Sequence, residues 1–216
     1  MNTSTHISPD ALAPPMALAL ASNFGSVEQW AAEVVALASA HGAAGGDVLG
    51  QYRLVFDPQS GALSHHWSAD ADVRDALIPL LTIALPATPD DFLGGLDWPL
   101  AYQRYQDAVH AASGRFAAHD TTGALVLDVR RAGVFAAAPT MLPGAAWHDP
   151  AAVAEWGLQL PADRPVLVYC VYGHEVGRVT AMRLQALGVN AHFLVGGIDA
   201  WQRAGRATVA KPGVST

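Results

Sequence analysis

A single cysteine stands in the stretch CVYGHEVGR, residues 170–178. It follows the apolar run PVLVY (165–169) and precedes VTAMRLQALG (179–188), which reads as a helix. A thiol between a buried strand and a helix start meets a row of backbone N–H groups and the positive end of a helix dipole. That field favours thiolate over thiol, so the placement predicts a cysteine whose pKa is lowered and which acts as a nucleophile. Gly173, in mid-loop, allows backbone angles that other residues resist. The plain alternative for a lone cysteine is a small buried hydrophobe.

The elements around it must bring other groups to the same place. ALVLDVR (124–130) is a continuous apolar strand of the kind found inside a parallel sheet. PVLVYC (165–170) and AHFLVGG (191–197) are two more strands. Helices are expected over 152–160, 176–187 and 198–205. In the second of these Val176, Val179, Thr180, Leu184 and Leu187 share one side. Strand–helix alternation implies a parallel α/β domain with right-handed crossovers. Open sheets of this type place their sites beyond the carboxyl ends of the strands. Asp128 and Arg130, Cys170, and Gly196-Gly197 should therefore converge on one edge.

The first half has a different texture. SVEQWAAEVVALASA (26–40) opens with Ser26 and Gln29 in a capping-box pattern and carries Trp30, Val34 and Leu37 at helical spacing. QYRLVFDPQSGALSHHW (51–67) reads as a hairpin, ALIPLLTIAL (76–85) as a buried strand or helix, and 97–118 as largely helical. PATPDDFLGG (86–95) reads as a loop. The seam between the halves is expected near 114–122.

Bulk properties exclude several classes. The 216 residues are 51% apolar and 14% charged, which is a globular composition. A formal net charge of -7 argues against a nucleic-acid surface. One cysteine forms no internal disulfide, which fits a reducing compartment. The start lacks the basic residues of a signal peptide, and ALAPPMALALA (11–21) is too short to span a bilayer. The expectation is a cytoplasmic protein with no membrane contact.

Four motifs occur together in the second half: LDVRR (127–131), MLPGAAW (141–147), VYCVYGHEVGR (168–178) and FLVGGIDAWQRAG (193–205). In order and spacing they resemble the rhodanese family of sulfurtransferases over roughly 118–210. The resemblance implies that Cys170 accepts a sulfane sulfur as a persulfide and passes it to a nucleophilic acceptor. It implies that the loop N–H groups of Val171, Tyr172, Gly173, His174 and Glu175 hold the anionic persulfide. Asp128 and Arg130 would brace the site from the neighbouring strand end, and Arg178 would lie one turn into the helix. No resident cofactor or metal is implied.

The loop ends in His174-Glu175, where thiosulfate-using members of the family carry a basic or hydroxyl residue. A carboxylate beside the bound sulfur opposes a dianionic donor, and a protonated His174 and Arg178 offset it in part. The donor expected is therefore a small-molecule or protein persulfide, and the acceptor a thiol or other nucleophile. A cysteine phosphatase on the same scaffold needs an Arg six residues after the cysteine to clamp phosphate. That position is Val176, and Tyr169 precedes the cysteine.

SNFGSVEQWAAEVVALA (22–38), the hairpin and IPLLTIAL (78–85) resemble the C-terminal domain of iron/manganese superoxide dismutases. The metal ligands do not carry over. Aligned on Pro79-Leu80-Leu81, the family's Asp falls on Ala84 and its His on Thr88. Aligned on Asp97-Trp98, the His falls on Leu100. His65 and His66 with Asp70 or Asp72 are the remaining metal candidates, but adjacent strand residues point to opposite faces.

The expected organisation is a flexible arm (1–10), a small α+β dismutase-like domain without metal ligands (11–117), a rhodanese-like α/β domain (118–210) and a tail (211–216). The first domain packs on the second or mediates a homodimer. A dismutase-like metal oxidoreductase and a non-catalytic rhodanese-like binding module are the alternative functions.

Overall fold

A computed structural model describes residues 14–42, 50–68, 76–84 and 95–212. The expected arm (1–10), residues 86–94 of the expected loop (86–95), residues 213–216 of the expected tail and the candidate metal partners Asp70 and Asp72 lie outside the described residues, as does Thr88. The chain divides into two compact units between Ala108 and Val109, with the short turn Gln59–Gly61 grouped with the second.

The first unit begins with α1 (Pro14–Phe24) and α2 (Val27–Gly42). The Ser26 hydroxyl accepts the Gln29 N–H at 3.0 Å, which is half of the expected capping box and sets the start of α2. β1 (Gln51–Phe56), β2 (Leu63–Ser68) and β3 (Ile78–Ala84) form an antiparallel sheet in the order β2-β1-β3. The ambiguous segment over 76–85 is thus a strand. α3 (Trp98–Ser113) follows and crosses from the first unit into the second.

The core of the first unit is aromatic. Trp30 and Tyr52 are fully buried, and the Trp30 indole N–H donates to the Tyr52 hydroxyl at 2.9 Å. Pairing places His65 opposite Leu54 and His66 opposite Arg53, so the two histidines face opposite sides of the sheet. His65 is held by Tyr52 at 2.9 Å and by Glu33 at 2.8 Å. Among the described residues no three His, Cys, Asp or Glu side chains come together as a metal would need.

The second unit holds a parallel sheet. Its strands are β4 (Ala117–Ala118), β5 (Leu125–Asp128), β7 (Ala146–Trp147), β8 (Val166–Tyr169) and β9 (Ala191–Leu194), in the order β4-β9-β8-β5-β7. After β5 comes the short helix α4 (Ala132–Ala137), and β6 (Thr140–Met141) pairs outside this sheet. All four ladders are parallel.

The central strand β8 explains why its sequence is a continuous apolar run. Val166 and Val168 point to one face and pack with Leu127, Ala181, Leu184 and Phe193. Leu167 and Tyr169 point to the other and pack with Val126, Leu142, Leu194 and Ile198. Both faces are covered, so neither parity of the strand can be polar. Each such buried side chain contributes about 1.5–3 kcal/mol relative to exposure.

Flanking helices differ in detail from the sequence expectation. The segment 152–160 is not one helix. A 3-10 turn (Pro150–Ala152), α5 (Val153–Trp156) and a second 3-10 turn (Gly157–Gln159) share it. Gly157 marks the break, where a Cβ would meet Leu184 and Leu187 side chains within 3 Å. α6 (Glu175–Ala186) buries Val179, Thr180 and Leu184 as expected. Leu187 instead is 37% exposed just past its end. α7 (Gly197–Arg203) closes the unit. No helix among the described residues is long and apolar enough to cross a membrane.

Candidate functional site

The carboxyl ends of β5, β8 and β9 lie side by side in the sheet. Parallel pairing sets Asp128 opposite Tyr169, one residue before Cys170. The expected convergence of strand ends is therefore a consequence of register: any residue after Tyr169 emerges beside the turn that follows Asp128.

The loop 170–174 is held in shape from below. The N–H of Ile198 donates to the Cys170 carbonyl and the N–H of Asp199 to the Val171 carbonyl, each at 3.0 Å. Those carbonyls are thereby turned toward the start of α7 and away from the sulfur. Gly173 has φ +67°, and a Cβ there would lie 2.6 Å from the Gly196 N and 2.8 Å from the Leu194 carbonyl oxygen. Only glycine fits a left-handed backbone pressed this closely against another chain segment.

Arg178 secures the other side. Its Nε donates to the Gly173 carbonyl at 2.9 Å and its Nη1 to the buried Ser113 hydroxyl at 3.0 Å. Its guanidinium lies over the Phe193 ring at 4.4 Å. The sequence expectation placed Arg178 as a cation partly offsetting Glu175 at the bound sulfur. In the structure the guanidinium braces the outside of the loop through Gly173 and Ser113, and its charge still acts on the Cys170 sulfur. Burial lowers its pKa from the ordinary arginine value, with the Cys170 sulfur opposing that change.

With the carbonyls drawn outward, amides face inward. The backbone N–H groups of Gly177, Gly173 and His174 donate to the Cys170 sulfur. The resemblance assigned this task to residues 171–175. Two of those five amides do it, and Gly177, in the first turn of α6, supplies the third. Val171, Tyr172 and Glu175 instead contribute to the wall of the cavity above the sulfur. Tyr172 is 55% exposed, with its ring 5.7 Å from that of His174.

The electrostatic outcome also departs from the expectation of a lowered thiol pKa. Cys170 is only 5% exposed. Burial pushes its thiol above the ordinary cysteine value, the three amides pull it back, and the Glu175 carboxylate adds to the rise. Desolvation of a thiolate outweighs the helix-terminus field here because the sulfur sits at the floor of the cavity and not at its mouth.

Asp128 and Arg130 form a closed, buried pair. The Arg130 Nε donates to the Asp128 Oδ1 at 2.9 Å and its Nη2 to Oδ2 at 2.5 Å. The same Nη2 donates to the Thr140 carbonyl at 2.9 Å. Tyr169 joins them: its hydroxyl donates to the Asp128 Oδ2 at 2.7 Å and accepts the Leu142 N–H at 3.1 Å. Burial raises the Tyr169 pKa, with the Asp128 charge acting in the same direction. Asp128 is fully buried and makes no contact with the cavity, whereas Arg130 reaches its wall.

The cavity has a volume of about 190 Å3, with Cys170 at its base and Arg130, Arg131, Val134, His174 and Val176 completing the wall. Sequence reasoning missed Arg131, which pairs with Glu175 at 3.7 Å across it. The second Arg of LDVRR was a signal available for it. Gly177 was also missed. A Cβ on it would lie 3.3 Å from the sulfur, and the glycine at 177, seven residues after the cysteine, is the trace of that crowding.

Part of the chain matches a known domain family. Residues 113–204 match the rhodanese-like domain family. Among solved structures, a protein from Helicobacter pylori is 19% identical, with TM-score 0.42, covering 48% of this chain and 97% of that one. A rhodanese-related protein from Thermoplasma volcanium is 21% identical, with TM-score 0.36, covering 46% of this chain and 90% of the other. A rhodanese-like domain protein from Staphylococcus aureus is 21% identical, with TM-score 0.33, covering 38% and 78%. Curated proteins give no match. The family match lies within the C-terminal half, and the dismutase resemblance of the N-terminal half rests on sequence motifs alone. Residues 113–204 of this chain, with their parallel sheet and flanking helices, form a rhodanese-like domain.

Proposed function

We propose that the protein is a sulfurtransferase in which Cys170 carries sulfane sulfur as a persulfide. The observation that supports this most directly is the convergence of three backbone N–H groups on the Cys170 sulfur at the base of a cavity. Fixed donors of this kind favour a sulfur-centred anion without any rearrangement when it forms. A small-molecule or protein persulfide supplies the sulfur, and a thiol or other nucleophile removes it. Such thiol chemistry suits a reducing compartment such as the cytoplasm.

In the first step the Cys170 thiolate attacks the outer sulfur of a donor R–S–SH. The new bond is Cys170 S–S, the donor S–S bond breaks, and its electron pair leaves with R–S⁻. The terminal sulfur keeps its proton. In the second step an acceptor thiolate attacks that terminal sulfur, and the Cys170 thiolate departs. Arg178 and the α7 amides hold the loop through both steps, and the Asp128–Arg130–Tyr169 network holds the neighbouring strand end.

The test is intact mass and cyanolysable sulfur after incubation with donors. Wild type should gain one sulfur and Cys170→Ser none. Equal sulfur on both proteins sinks the proposal. A second reading, a non-catalytic rhodanese-like module, draws on the upward shift of the Cys170 thiol. It expects no sulfur on wild type with any donor. The dismutase-like reading expects near-stoichiometric iron or manganese on purified protein, and no cluster of described residues favours it.

A further inference from the structure

The wall of the Cys170 cavity carries one ion pair, and its two members are free to meet a ligand to different degrees. Arg131 and Glu175 stand 3.7 Å apart, with side chains 32% and 14% exposed. Arg130, the other cation on the wall, is 4% exposed and committed to Asp128 and the Thr140 carbonyl. Arg178 is committed to Gly173 and Ser113 outside the cavity. Arg131, Glu175 and the His174 imidazole, which also lines the cavity, are thus left to greet a donor. With the imidazole neutral their charges sum to zero, so a dianion finds no net charge to balance it and meets Glu175 as a like charge.

We infer that the Arg131–Glu175 pair selects a zwitterionic, amino-acid-sized persulfide as sulfur donor, Arg131 taking its carboxylate and Glu175 its ammonium. This rests on the sulfur-carrying reading of Cys170. Pocket size agrees: about 190 Å3 is below the roughly 300–1,000 Å3 of sites that enclose drug-sized ligands. A pair at 3.7 Å is longer than a tight bidentate contact, so opening it for two ligand bonds costs little. The charges also explain a preference between chemistries. With cysteine persulfide the leaving group is the cysteine thiolate, and the α-ammonium and α-carboxylate stay with the pair. With thiosulfate the Cys170 thiolate takes the outer sulfur, and sulfite dianion leaves past Glu175.

The experiment compares single-turnover sulfur loading of Cys170 from cysteine persulfide and from thiosulfate, read by intact mass. Wild type should load faster from cysteine persulfide. Glu175→Gln keeps the size of the side chain and removes its charge. It should speed loading from thiosulfate by about tenfold and slow loading from cysteine persulfide by a similar factor. Arg131→Gln should slow both. A circular dichroism melt of each variant checks that it folds. If both variants fold and the ratio of the two donors stays at the wild-type value, the inference is overturned while the sulfurtransferase reading stands. If wild type loads from neither donor nor from any other persulfide, that reading fails and the inference with it.

Discussion

A Cβ on Gly197 would lie 2.4 Å from the carbonyl oxygen of Cys170 and equally close to that of Val171. The start of α7 is therefore pressed flat against the back of the sulfur-bearing loop, where the Ile198 and Asp199 amides take the same two carbonyls. Gly197→Ala must push the loop away or rotate those carbonyls, and at φ +58° it adds left-handed strain. The expected cost is about 2–4 kcal/mol in urea unfolding. Sulfur loading on whatever remains folded should be lost, because freed carbonyls turn toward the sulfur. Unchanged stability would show that the two segments do not touch in solution.

The pH dependence of Cys170 follows from its surroundings. Its folded-state pKa lies above the unfolded value, because burial and Glu175 outweigh the three amides. The thiol therefore supports stability fully below the unfolded pKa, and that support is lost as pH rises through the folded pKa. Alkylation by iodoacetamide should rise with a midpoint above that of an unfolded control peptide. Glu175→Gln should move the midpoint down, since it removes one of the causes of the rise. A midpoint below the control would mean that the amides win, as the sequence alone suggested.

That reversal shows where the sequence stops being legible. The strand–loop–helix around Cys170, the glycine at 173 and the strand-end pair Asp128 and Arg130 could be read because each is a local requirement of backbone geometry or of burial. Depth was not readable. Whether a sulfur sits at the rim or at the floor of a cavity depends on how far β8 runs before the loop turns, and on Gly177 folding over it. Likewise Arg178 has helical spacing suitable for facing the sulfur, yet Phe193 and Ser113, from distant segments, capture it. Leu187 matched the apolar side of α6 by periodicity, but the helix ends at Ala186 and leaves it outside. Tyr169 looked like an ordinary strand residue, and only the register with Asp128 reveals its hydroxyl as the bridge between two segments.

Tyr169→Phe tests that bridge. The change deletes one hydroxyl and leaves the ring in place. It strips the Leu142 N–H of its acceptor and the Asp128 carboxylate of one donor, both in the interior. About 1–3 kcal/mol of stability should be lost. Asp128→Ala should cost more, about 3–5 kcal/mol, because it leaves the Arg130 guanidinium buried without its counter-charge. Combining Asp128→Ala with Arg130→Met should recover part of that loss, which a double-mutant cycle in urea will read. Full additivity of the two changes would contradict the pairing.

Gly177→Ala separates the chemistry from the fold. The residue is buried in the first turn of α6, where alanine is the better helix former by about 0.8–1.0 kcal/mol. Its Cβ would stand 3.3 Å from the Cys170 sulfur and 3.6 Å from the Cys170 N, with no other neighbour closer than 3.9 Å. The propensity gain and the crowding oppose each other, so the melting temperature should move by only a few degrees. The sulfur has less room. The methyl group occupies space beside it and displaces the amide that donates to it, so an added sulfur atom would be crowded out of its hydrogen-bonded position. Sulfur loading of Cys170 should fall about tenfold or more, equivalent to about 1.4 kcal/mol at the transition state. Loading at the wild-type rate in a folded Gly177→Ala protein would mean that the persulfide points away from α6, and that the amide of Gly177 plays no part in holding it.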